Sequence, residues 1–132
     1  MKKTMLILAI LFLFAGCTQQ KTETVVGTAT VVIDTLDDTI VNEAIPFTEN
    51  STAYDITISA CEKTDVEVEF DGTEKTAYMT SAGGVKTGDY GAMSGWLFDI
   101  NDEPASQGCG QYTVQDGDII HWYYVEDFMA EF

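Results

Sequence analysis

Arginine is missing from all 132 residues, and six lysines face 22 aspartates and glutamates, which leaves a formal charge of −16 at pH 7. A surface of that sign repels phosphate backbones, so nucleic acid is excluded as a partner. Histidine is nearly missing too. The single His121 gives no basis for a zinc site or for a His-based catalytic triad. Cysteine occurs three times and never as Cys-x-x-Cys, which removes the usual dithiol redox motif. Apart from residues 5–14 there is no long apolar run, and the length suits one modest domain rather than two.

That one apolar run opens the chain. Lys2 and Lys3 precede the uninterrupted stretch Met5 to Phe14, and Ala15-Gly16 puts small residues directly before Cys17. This is the pattern of a secretory signal, too short to serve comfortably as a permanent span. With cysteine at the cleavage point it resembles a lipobox, where bacteria attach diacylglycerol to the thiol and cut before it. Phe14 stands where Leu is usual. The expectation is a cleaved signal peptide over 1–16, a lipidated tether over 17–24 anchored at Cys17, and one domain over 25–132. A lipid chain contributes ~0.8 kcal/mol per buried methylene, so several chains would hold the exported protein on a membrane, facing away from the cytoplasm. All carboxylates follow Cys17 and four lysines remain, so the processed chain would carry 4 − 22 = −18.

Export also bears on the two remaining cysteines. An even pair outside the cytosol favours a disulfide between Cys61 and Cys109. It would close a loop of roughly 48 residues, for which chain entropy suggests about 4 kcal/mol of stabilisation. Two buried free thiols are the competing reading.

Along the mature chain, Val25 to Asp34 is β-branched around Gly27 and reads as a strand, Asp37-Asp38 as a turn, and Thr39 to Ile45 as a second strand ended by Pro46. Local rules conflict over 52–63. Tyr54, Ile56, Ile58 and Ala60 alternate as in a strand, yet Ala53, Ile56 and Ala60 share a helical face, and Thr52 with Asp55 forms the spacing of a capping box. Asp65 to Asp71 alternates cleanly, and Ala77 to Thr80 reads as a short strand. Ser81 to Gly95 holds five glycines and reads as a long shaped loop. Two motifs fail on inspection. Gly83 to Gly88 lacks the spacing of a phosphate loop, and Asp99 to Glu103 is followed by Pro104 where a calcium loop needs glycine.

The last third is the most informative. Ser94-Gly95-Trp96-Leu97-Phe98-Asp99-Ile100-Asn101 is an aromatic strand. A Gly-rich turn around Cys109 follows, then Gln111-Tyr112-Thr113-Val114, an Asp116-Gly117-Asp118 turn, and the aromatic strand from Ile119 to Tyr124. This order resembles the C-terminal domain shared by transcobalamin-like proteins. The resemblance implies an α+β, β-grasp-like fold, a mixed sheet with one helix, and it places that helix over the ambiguous 52–63 segment. It implies binding of a soluble small molecule, with cobalamin or another corrinoid first in line, and no chemistry. In such carriers a helical barrel supplies the other half of the site; the expectation for this chain alone is weak binding, or a site completed by a partner.

Five residues stand out as ligand contacts. Trp96 is either a core residue or a flat surface for a planar ring, and Trp122 or Tyr123 would contribute if the last strand keeps an exposed aromatic face. Tyr90 sits in the glycine-rich arm as a lid or a plug. Gly110 and Tyr112 match the place where the resemblance runs a strand edge past the ligand. The function expected is therefore an exported, lipid-anchored binding protein, not an enzyme, serving a transporter or another surface protein. The alternative is a cell-surface interaction module for protein or glycan, without a small-molecule ligand.

Overall fold

The structure is a computed structural model that describes residues 23–131. The expected signal peptide, the lipid site at Cys17 and most of the tether lie outside the described residues. The first two elements are the ten-residue strands β1 (Val25–Asp34) and β2 (Thr39–Thr48), an antiparallel hairpin whose turn is tied by the Thr35 hydroxyl. Alternation puts Ala29, Val31 and Ile33 of β1 inward beside Val41, Ile45 and Phe47 of β2. Pro46 does not end β2, which continues to Thr48. The strand lies at the sheet edge, where a missing N–H costs little.

The ambiguous segment is helical: α1 covers Ala53–Thr64. Its start is fixed by the capping box, in which Thr52 N–H donates to the Asp55 carboxylate at 2.9 Å and Asp55 N–H donates back to the Thr52 hydroxyl. Its end is a left-handed Asp65, whose N–H closes on the last turn. Four β-branched residues (Ile56, Thr57, Ile58 and Thr64) lower its propensity, so packing decides. The face of Ala53, Ile56, Thr57, Ala60 and Cys61 is buried against the hairpin.

Beyond α1 comes a small sheet of β3 (Val68–Asp71), β4 (Tyr78–Ala82) and β5 (Val85–Lys86) in that order. The expected glycine-rich loop is thereby shortened. Gly83 and Gly84, both at positive φ, make the tight turn between β4 and β5. The chain then returns to the main sheet as β6 (Gly95–Ile100), the two-residue β7 (Glu103–Pro104) and β8 (Ile119–Val125). The five strands lie in the order β2-β1-β8-β6-β7, with β8 parallel to β1 and every other pair antiparallel. A parallel neighbour demands a long crossover, and α1 with the small sheet travels on it. The fold is α+β, mostly sheet with one helix, as expected.

The core lies between one face of the five-stranded sheet and the layer of α1 and β3–β5. Trp122 sits at its centre, 2 % exposed, with its indole N–H donating to the Thr57 hydroxyl at 2.9 Å and its ring against Phe70 and Phe98. The opposite face carries half-exposed Val32, Asp34, Leu97, Asp99, His121 and Tyr123 and exposed Ile119. There His121 Nε2 meets the Asp34 carboxylate at 2.6 Å, so the lone histidine serves a partly exposed contact between β8 and β1.

Two further expectations are corrected. Gln111 to Val114 is not a strand. Its backbone, with that of Cys109 just before it, is occupied by the start of α1 instead: Ala53 N–H donates to Tyr112 C=O and Tyr54 N–H to Cys109 C=O, both at 2.9 Å, while Val114 N–H donates to Ser51 C=O. The segment thus satisfies amides that a helix start leaves unpaired. The second correction is the disulfide. Cys61 and Cys109 are both buried and both free. Cys109 Sγ donates to Ala77 C=O at 3.2 Å, while Cys61 belongs to the inner face of α1. Burial pushes each thiol up to about 11, so neither is a nucleophile near neutral pH.

Candidate functional site

One apolar cavity stands out, with a volume of about 250 Å³, at the open edge of β6. Three segments wall it. The Trp96-Leu97-Phe98 run of β6 forms one side, Ala77 to Met79 at the start of β4 a second, and Pro104-Ala105 with Gly108 a third. Trp122 contributes from beneath, and Tyr123 with Glu131 from the far side of the sheet. Glu131 is the one charged residue in this lining. It belongs to the closing 3-10 turn Phe128–Glu131, which Phe128 pins over Gly95 so closely that no side chain fits there.

Each wall follows from local rules. Trp96 and Phe98 share the inward face of β6 because they are two residues apart. Trp96 is held rigidly: its indole N–H donates to Val85 C=O at 3.0 Å, and its ring meets Tyr124 edge-on at 5.2 Å. Tyr124 in turn donates to Lys86 C=O at 2.7 Å and reaches the buried Ser94 hydroxyl at 2.9 Å. With their polar ends engaged, the aromatic rings present only apolar surface. The fixed walls mean that a ligand meets a site already formed.

Of the five residues singled out from sequence, Trp96 and Trp122 line this cavity and the other three do not. Tyr90 is exposed and stands edge-on to Tyr124 at 5.6 Å, outside the cavity lining. Gly110 lies where a side chain would collide with the Glu74 carbonyl, so it serves a close approach of two backbone segments. Tyr112 lines a neighbouring cleft of about 220 Å³, separated from the first by Pro104-Ala105. Its hydroxyl donates at 2.8 Å to the buried Asp118 carboxylate, which also accepts from Asn101 Nδ2 and Gln115 N–H. Burial first, then that hydrogen bond and charge, push the Tyr112 phenol up to about 12. Trp122 is not part of an exposed aromatic face; Tyr123 and Ile119 are what that face shows.

Met79, Pro104, Ala105 and Glu131 were not indicated by sequence. Met79 alternates inward on β4, which periodicity could have flagged. The other three reach the site only through the turn after β7 and the final turn after β8, for which no sequence pattern exists. Among the described residues no group of three or more acidic, His or Cys side chains could hold a metal.

The sequence pattern of a family described as a domain of unknown function, DUF4430, matches residues 50–126, from the cap of α1 to the end of β8. The chain belongs to the DUF4430 family. The match covers every cavity-lining segment except Glu131, while the β1–β2 hairpin lies ahead of it. Among solved structures, haptocorrin in complex with Cbi is similar, with a TM-score of 0.68 and 16 % identity over 77 % of this chain. The similar region is 25 % of haptocorrin, so this chain spans about a quarter of that protein's length. A protein from Ruminococcus gnavus ATCC 29149, provisionally described as metal binding, is similar over 77 % of this chain and 99 % of its own, with a TM-score of 0.55 and 17 % identity. At such identities the likeness is one of fold. No curated protein matches. The DUF4430 chain thus shares the fold of a transcobalamin-like domain.

Proposed function

We propose that this chain is an exported, lipid-anchored binding protein whose β-grasp domain holds a soluble small ligand in the cavity beside β6. The observation that carries the reading is the preformed apolar cavity between Trp96, Phe98, Met79 and Ala105, with Glu131 as its one charged wall residue. Cavities of this kind, apolar with few polar groups, are the usual form of a small-molecule site. The likeness in fold to haptocorrin, whose structure holds Cbi, supports a corrinoid as the candidate ligand. About 250 Å³ is smaller than a usual drug-sized pocket, so it takes a ring or a side arm while a macrocycle rests at its mouth. The reading assigns no reaction to the chain. The lipid at Cys17 would keep the domain at the membrane, next to a transporter or another surface protein that receives the ligand.

The experiment is calorimetric titration with cyanocobalamin, alongside corrin absorbance, for the parent and an Ala105→Trp variant that fills the cavity mouth. Saturable heat that the variant loses is the expected result. Absence of heat at millimolar concentration would remove the corrinoid, and equal heat from both proteins would remove the cavity.

A further inference from the structure

The cavity meets the sheet where β6 lacks a neighbour. Odd-numbered residues of β6 turn their backbone groups toward β8: Gly95, Leu97 and Asp99 stand opposite Val125, Tyr123 and His121, and Asn101 N–H extends the series by donating to Ile119 C=O at 3.0 Å. Even-numbered residues turn theirs outward, as Ala105 N–H shows by donating to Phe98 C=O at 3.2 Å. The short β7 pairs only with Asp99 and Ile100. Among the described residues, that leaves the N–H of Phe98 and both backbone groups of Trp96 outside any ladder.

The lining confirms where the free edge lies. Trp96 and Phe98 belong to the inward face of the sheet, whereas Leu97 and Tyr123 belong to the outward face. A cavity touching both faces of one strand runs along that strand's edge. Two backbone donors, on Trp96 and Phe98, with the Trp96 carbonyl between them, set along an apolar cavity, match an extended peptide better than a plain ring compound. Charge selects among peptides. The wall carries Glu131 and no cation, β7 contributes exposed Glu103, and the chain holds 22 carboxylates against six lysines.

We propose that the ligand of this site is an extended, basic peptide segment that adds a strand to the β6 edge and seats one apolar or aromatic side chain in the cavity. The inference rests on the cavity being the ligand site, and it puts a peptide in place of the corrinoid as the class of ligand.

The test uses the full chain in mild detergent and a blocked pentapeptide with tryptophan at its centre, valine on either side and lysine at both ends. Two further peptides carry N-methyl groups, one on the odd and one on the even positions, and a fourth has glutamate in place of lysine. Calorimetry should show saturable binding of the parent peptide. Strand addition turns amides of one parity to the protein, so one N-methylated peptide should bind about tenfold more weakly or worse and the other as the parent does. The glutamate peptide and the Ala105→Trp protein should both bind more weakly. Equal binding of the two N-methylated peptides overturns strand addition. If the folded protein takes up benzimidazole, a bare ring probe, but not the parent peptide, the peptide class is wrong and the cavity reading survives. If it takes up neither, both fall.

Discussion

Thr57 is buried beneath the cavity and Tyr112 half-buried in the cleft beside it, and each has a measurable consequence. The hydroxyl of Thr57 receives the Trp122 indole N–H and itself donates to Ala53 C=O at 2.8 Å, linking α1 to the centre of β8. Thr57→Val keeps the shape and leaves a buried N–H without a partner, so denaturant unfolding should show a loss of about 1–3 kcal/mol. Tyr112 is the pH-sensitive member. Its phenol is pushed up to about 12 in the fold from an ordinary value of 10.0. A group raised on folding stabilises below its unfolded value and loses that contribution as pH climbs through the folded one. Stability should therefore fall between pH 10 and about 12 as this phenol ionises, and Tyr112→Phe should flatten that part of the profile. Phenolate absorbance followed against pH should lose its latest-titrating component in Tyr112→Phe.

Among the elements, those built from long alternating runs were legible and those built from tertiary contact were not. Val25 to Asp34 and Ile119 to Val125 read as strands because β-branched and aromatic residues recur with a period of two. α1 was legible at its start, where Thr52 and Asp55 form the box, and illegible in its body, where Ile56, Thr57 and Ile58 favour a strand by propensity. Thr52→Ala should cost about 1 kcal/mol of stability by chemical denaturation, since the Asp55 N–H at the helix start loses the hydroxyl that accepts from it. Gln111 to Val114 looked like a strand and became the surface on which that helix start is tied. Of the site, Trp96 and Trp122 were visible as aromatics on alternating strands. The wall of Met79 and Pro104-Ala105 was not, because segments about 25 residues apart meet only when the small sheet stacks on the large one.

Taken as a whole molecule, the chain is an acidic α+β domain with one sheet face buried beneath α1 and β3–β5 and the other left partly open. Its aromatic residues divide accordingly. Tyr124 holds the layers together, while Trp96, Phe98 and Trp122 do so and also line the cavity at the β6 edge. The site is therefore part of the core, and a ligand there should raise the melting temperature with the logarithm of its concentration once that exceeds Kd. Charge acts at this scale as well: a cationic ligand should bind more weakly as salt is added, because its attraction to the acidic surface is screened beyond about 8–10 Å.

The most direct test is the nuclear magnetic resonance spectrum of the labelled chain, followed through the indole N–H signals of Trp96 and Trp122 during addition of benzimidazole. A group seated in the cavity lies against both rings, and their own hydrogen bonds to Val85 and Thr57 keep those signals sharp in the free protein. Progressive, saturating shifts of both, with little change at Tyr90 beyond the cavity, are the predicted result. Shifts confined to Tyr90 and the glycine-rich arm, with both indoles unmoved, would contradict it.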